Sequence, residues 1–310
     1  MSIRDEILRL KKEKNAVVLG HYYLDNDLQK VSDFTGDSLA LAQKALNTDC
    51  GIIVFCGVHF MAETAKILNP DKKVLVPDIS ATCSLAECCK GKDFARFKAM
   101  HPGHTVISYI NCSAEIKALS DIICTSGNAE KIVRSLPENE KIIFAPDRNL
   151  GAYINKVTGR NMLLWDGACE VHDILKPEIF TSLKQKYPSA EMIAHPECNP
   201  EILAMADFIG STKAMLGYVK KSDVKDFIVG TEWGILYQLQ LENPDKNFIT
   251  PMKENAHCIE CKNMKLNTME KLRDCLVNET PEIIMSEETI EKAKQPIVRM
   301  LDISRKLGLI

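Results

Sequence analysis

AVVLGHYYLDNDLQKVSDFTGDSLALAQKA, residues 16–45, opens as an apolar strand, passes through a polar turn and closes on a helical pattern. Two later segments share that layout: TVISYINCSAEIKALSDIICTSGNAEKIV from residue 105 and EMIAHPECNPEILAMADFIGSTKAML from residue 191. A polar ring ends each opening strand, at His21, Tyr109 and His195. Twelve residues later comes an aspartate (Asp33, Asp121, Asp207), and seventeen residues later a hydroxyl (Ser38, Ser126, Thr212). One shared spacing could arise by chance in any protein of alternating strands and helices. Three markers at identical offsets in three segments indicate an internal repeat.

The likeness extends on both sides. Amphipathic runs EILRLKKEKN, FARFKAMHPG and IFTSLKQKYP precede the strands. Apolar runs GIIVFCG, KIIFAPD and DFIVGTE follow, and then KVLVPD, NMLLWD and NFITPM. Each copy therefore alternates helix and short strand, the signature of a parallel sheet covered on both faces. The expected fold is α/β, with three homologous three-layer αβα units around a pseudo-threefold axis. The units span 1–86, 87–172 and 173–310, the last with a C-terminal helix-strand-helix extension. Within it, MEKLRDCLVNETPEIIM reads as a helix and strand that could open a fourth copy, and the final helix begins after Ser286 as N-cap.

Composition narrows the function. A formal charge of −3 over 310 residues offers no field for gathering nucleic acid. No run of about 18 apolar residues could span a bilayer, and the acidic start is unlike a leader, so a cytoplasmic enzyme is expected. Twelve cysteines spread over the whole length do not form a disulfide scaffold. Cys50, Cys56, Cys112, Cys124 and Cys275 sit among apolar neighbours as small core residues, and Cys88 and Cys89 read as packing residues.

In parallel sheets, ligands collect at the carboxyl ends of the strands. The markers lie there, as do the cysteines that follow each last strand: Cys83, Cys169, and either Cys258 or Cys261. Ligands so far apart are not the two local pairs of a structural zinc site. They suit a [4Fe–4S] cubane held by three thiolates, which leaves one iron free as a Lewis acid. The hydroxyls stand where helices begin and where anions are attracted, although each could be only a cap. Strand alternation aims the pairs His21/Tyr23, Tyr109/Asn111 and His195/Glu197 into one cavity. His172 is a further candidate acid or base, whereas His59, His101, His104 and His257 read as structural.

These residues carry a family resemblance. VVLGHYYLDNDLQKVSDFTGDSLALAQKA, VLVPDISATCSLAE, ISYINCSAEIKALSDIICTSGNA, WDGACEVH, HPECNPEILAMADFIGST and CKNMKLNTMEKL, in this order and spacing, resemble the quinolinate synthase family over nearly the whole chain. The resemblance implies condensation of iminoaspartate with dihydroxyacetone phosphate, with loss of phosphate and two waters, for NAD synthesis. It implies an oxygen-sensitive [4Fe–4S] cluster on Cys83, Cys169 and Cys261, and iminoaspartate supplied by an aspartate-oxidising enzyme. It assigns substrate binding to His21, Ser38, Tyr109, Asn111, Ser126, His195 and Thr212, and proton transfer to Tyr23, His172 and Glu197. Cys258 and Cys261 form a CxxC able to close a regulatory disulfide. Two rival classes would also carry a cluster: a radical enzyme of similar threefold architecture that cleaves S-adenosylmethionine, of the kind seen in diphthamide biosynthesis, and, in a different class, a cluster-based redox sensor.

Overall fold

The structure is a computed structural model that describes residues 2–253, 256, 257 and 259–309. Its described residues form three parallel four-stranded sheets in chain order. The first holds β1 (Ala16–His21), β2 (Phe34–Gly36), β3 (Ile52–Cys56) and β4 (Lys73–Leu75). The second holds β5 (Thr105–Tyr109), β6 (Ile122–Cys124), β7 (Ile142–Ala145) and β8 (Leu163–Leu164). The third holds β9 (Glu191–Ala194), β10 (Phe208–Ile209), β11 (Asp226–Gly230) and β12 (Asn247–Ile249). Every sheet has the same spatial order, second-first-third-fourth, so the sequence repeat is a repeat of topology.

Side-chain alternation shows why each unit has three layers. In β1, Val17 and Leu19 enter one apolar cluster and Ala16 and Val18 another; in β9, Met192 and Ala194 part from Ile193 in the same way. Both faces of a sheet are thus covered by helices, which is why the strands read as continuous apolar runs. The cluster on one face of the first sheet continues into the second sheet through Ile107 and Ile122, so these two units share a core.

The repeated aspartates have a structural task. Asp33 Oδ2 accepts the Val18 N–H at 2.8 Å while the Asp33 N–H donates to Val18 O at 2.8 Å. Asp121 does the same with Val106, and Asp207 with Met192. This two-point clasp ties the entry to each edge strand (β2, β6, β10) onto the central strand, and it needs a short side chain with an acceptor at that offset.

The C-terminal region corrects one expectation. The helix Met269–Asn278 buries Leu272, Cys275 and Leu276 against Ile7 and Leu10 of the helix Ile3–Glu13. Next, Val76 N–H donates to Pro281 O at 3.2 Å and Ile283 N–H to Val74 O at 2.9 Å, in an antiparallel bridge along β4. No fourth copy begins here: the segment covers the exposed edge of the first sheet, which would otherwise present unpaired backbone groups. The last helix, Glu287–Lys306, is capped by Ser286 and inserts Ala293, Ile297, Met300 and Leu301 into the core shared by the first two units.

The clasp can be tested in urea. Asp121→Ala should lower stability by about 0.5–1.5 kcal/mol, the net worth of one hydrogen bond, and Asp121→Asn, which keeps an acceptor, should recover most of it. Equal losses in both variants would assign the effect to charge instead.

Candidate active site

The three units face one cavity, and all thirteen candidate site residues line it. His21 ends β1, Tyr109 ends β5 and His195 follows β9, so the strand ends deliver three rings to equivalent places. Two of the rings are locked alike. Tyr23 N–H donates to His21 Nδ1 at 3.1 Å, and Glu197 N–H donates to His195 Nδ1 at 3.4 Å. With Nδ1 acting as acceptor, the proton of each neutral imidazole resides on Nε2. His195 Nε2 lies 3.2 Å from Ser126 Oγ.

Burial drives the His21 pKa down to about 3 and that of His195 to about 4, against the opposing pull of the Glu197 carboxylate. Both rings are therefore neutral donors at ordinary pH. Burial also opposes ionisation of Glu197, yet His195, His172 and the Tyr109 hydroxyl outweigh it and hold the carboxyl below the usual carboxylate range. Burial pushes the Tyr23 and Tyr109 hydroxyls well up, so both stay protonated.

The hydroxyl markers are free of capping duty in two units. Ser38 and Thr212 begin the helices Ser38–Leu46 and Thr212–Lys221, but the caps are Asp37 and Ser211, which accept Ala40 N–H at 2.9 Å and Ala214 N–H at 3.3 Å. Ser126 lies in the turn ahead of the helix Ala129–Arg134, where Asn128 Oδ1 accepts Thr125 N–H. Asn111 Oδ1 is buried without a hydrogen-bond partner, an acceptor facing a ligand cavity.

A chain of polar contacts crosses the site. His172 Nδ1 stands 2.9 Å from Glu197 Oε2, and its Nε2 is 3.0 Å from Thr231 Oγ1, which is 2.7 Å from the Tyr23 hydroxyl. Thr231 is the member that sequence reasoning missed. It follows β11 directly, inside the run DFIVGTE, at a strand end where ligand-facing groups are expected.

The three cysteines occupy equivalent positions. His59 N–H donates to Ala81 O at 2.7 Å, Arg148 N–H to Gly167 O at 2.7 Å, and Trp233 N–H to Ile259 O at 3.0 Å. Two residues beyond these acceptors are Cys83, Cys169 and Cys261, each the N-cap of a four-residue helix. Neighbouring backbone N–H groups of those helices favour the thiolate at each position, but burial outweighs them. Register therefore pairs Cys261 with the other two, although spacing from the ring residue alone favours Cys258; Cys258, and with it the CxxC disulfide, lies outside the described residues. The eleven described cysteines are free thiols. Cys88 is exposed and Cys89 packs with Phe94 and Cys112, both away from the cavity.

This donor set fits a cluster. Burial raises all three thiols, that of Cys261 to about 11, so ionising them requires a cation beside the sulfurs. Cys169, His172 and Glu197 also form a group whose ligand atoms lie within 4.8 Å of one another and could hold a single metal ion. Cys83 and Cys261 fall outside that compact group.

Comparison with known proteins places the chain in a family. A family profile described as Quinolinate synthetase A protein matches residues 5–302. The chain belongs to that family. Among curated relatives named quinolinate synthase, the protein of Chloroherpeton thalassium is 56% identical over 307 residues, covering 98% of this chain and 95% of the relative. That of Synechocystis sp. is 57% identical over 299 residues, covering 96% and 94%, and that of Microcystis aeruginosa is 56% identical over the same length and shares. Like its family, the chain is an enzyme. None of its described helices is long and apolar enough to cross a membrane.

The buried imidazoles predict a pH dependence of folding. Histidine titrates near 6.5 when free, but near 4 and 3 at His195 and His21 in the fold. Between those values the unfolded chain binds protons that the folded chain refuses, so stability should fall as pH drops from 6.5 towards 4. Melting of the metal-free protein should show this fall, and His195→Gln should flatten it. An unchanged slope in His195→Gln and His21→Gln would mean that the rings are charged in the fold.

Proposed function

We propose that the enzyme makes quinolinate by condensing iminoaspartate with dihydroxyacetone phosphate in the cytoplasm, with a [4Fe–4S] cluster held by Cys83, Cys169 and Cys261. The observation that carries this reading is the convergence of three equivalent cysteines, three strand-end rings and three helix-start hydroxyls on one cavity. Bound there by three thiolates, the cluster supplies a Lewis-acidic iron for substrate oxygen.

The residues around it suit two anionic substrates. His21 and His195, fixed as neutral Nε2–H donors, and the hydroxyls of Ser38, Ser126 and Thr212 bind carboxylate and phosphate without adding charge. That pattern grips polyanions by hydrogen bonds in a buried site. Asn111 Oδ1 accepts from a substrate amine or hydroxyl. The Tyr109 hydroxyl, kept protonated by burial, helps hold Glu197 as a carboxylate.

Proton transfer uses the polar chain. The Glu197 carboxylate requires a proton on His172 Nδ1, which leaves Nε2 to accept from Thr231, which in turn accepts from Tyr23. Tyr23 and Glu197 form the two ends, and both line the cavity. A proton taken at one end can be replaced from the other, as a condensation followed by two dehydrations requires. Such a substrate pair implies a preceding enzyme that oxidises aspartate.

Anaerobic protein reconstituted with iron and sulfide should form quinolinate from the two substrates without S-adenosylmethionine; absence of product would reject the reading. Glu197→Gln should retain substrate binding and lose roughly two to four orders of magnitude in turnover. Ser126→Ala and Thr212→Ala should each weaken binding by about 1.5–3 kcal/mol, the worth of a hydrogen bond to a charged group, with cluster content unchanged. Titration of substrate against the cluster spectrum measures both.

A further inference from the structure

One more set of equivalent positions plays no part in the roles above. Gly20, Ser108 and Ala194, just before the strand-end rings, pair in register with Cys56, Ala145 and Gly230. Two residues beyond those partners stand Val58, Asp147 and Glu232. Asp147 and Glu232 are fully buried, which is rare for a carboxylate unless both oxygens are engaged. Their engagements match. Asp147 Oδ1 accepts Leu150 N–H at 2.7 Å, capping the helix Arg148–Thr158, and Oδ2 accepts Cys169 N–H at 3.3 Å. Glu232 Oε2 accepts Gly234 N–H at 2.6 Å, capping the turn Trp233–Ile235, and Oε1 accepts Cys261 N–H at 3.3 Å.

Two units thus devote a buried acid at the same repeat position to the same pair of tasks, with side chains of different length. A cap alone would need one oxygen and could be a serine or threonine. Resting on the cluster reading, we infer that Asp147 and Glu232 are positioning residues that hold Cys169 and Cys261 by their peptide N–H groups, so that each sulfur meets the cluster in a fixed direction. Lys265 Nζ, 3.3 Å from Glu232 Oε1, donates to Tyr23 O at 2.8 Å and lies over the Trp233 ring, which ties the third-unit clamp to the first unit. Val58 has no acceptor side chain. The Cys83 loop is held by the His59–Ala81 backbone bond that all three units share, without the additional clamp.

A carboxylate can accept both N–H groups, whereas an amide offers one acceptor and one donor. In reconstituted holoenzyme, Asp147→Asn, Asp147→Ser and Glu232→Gln should release iron to a ferrous chelator roughly 10–100-fold faster than the unaltered protein, the usual effect of losing an outer-shell partner. Loss of cluster absorbance and iron per chain read the rate. Asp147→Ser keeps an oxygen for the cap, and the melting temperature of its metal-free form should stay near that of the unaltered protein. Unaltered release rates in Asp147→Asn and Glu232→Gln would overturn the proposal, as would acceleration accompanied by equal loss of metal-free stability in all three variants. Cys169→Ser and Cys261→Ser test the reading beneath it. Full clusters in both would remove these ligands, whereas cluster loss there with unaltered rates in the acid variants would remove only the clamp.

Discussion

The site depends on one backbone hydrogen bond made three times, from the first residue of the helix or turn after β3, β7 or β11 to the residue two before a cysteine. It fixes where each thiol stands whatever the length of chain in between. The separations from ring to cysteine are 62, 60 and 66 residues, yet the three sulfurs meet in one cavity, because the bond and not the count sets their place. Loop length is a soft variable, while a buried peptide hydrogen bond is not.

That distinction explains what could be read in the sequence. The sheets were legible because strands covered on both faces must be apolar throughout, and the Asp33, Asp121 and Asp207 clasps mark the same turn in each copy. The cavity residues were legible because strand ends and helix starts recur at constant offsets. Residues 269–285 were not, since a helix and an apolar run read alike whether they open a new parallel sheet or cover an old edge in the antiparallel sense. Thr231 escaped because a lone hydroxyl has no period. Asp147 and Glu232 end the aligned runs KIIFAPD and DFIVGTE, but the first copy has Val58 there, and two of three did not register as a repeat.

Burial organises the chemistry as much as position does. Excluding water keeps His21 and His195 neutral and the tyrosines protonated, so the cavity presents donors without net positive charge. The same burial would neutralise Glu197 were it alone. Its partners His195, His172 and Tyr109 reverse the outcome, and a carboxylate survives in a setting that favours neutral groups.

A threefold scaffold offers three equivalent corners, yet the cavity carries different groups at each of them. The copies keep the scaffold residues alike and vary what projects beside them: Tyr23, Asn111 and Glu197 each stand two residues past an equivalent ring. One supplies a hydroxyl, one an amide and one a carboxylate. The third unit alone brings an acid into the cavity from that position, and His172 of the second unit and Thr231 of the third link it to Tyr23 of the first. The polar chain is therefore a property of the junction between units and belongs to no single one of them.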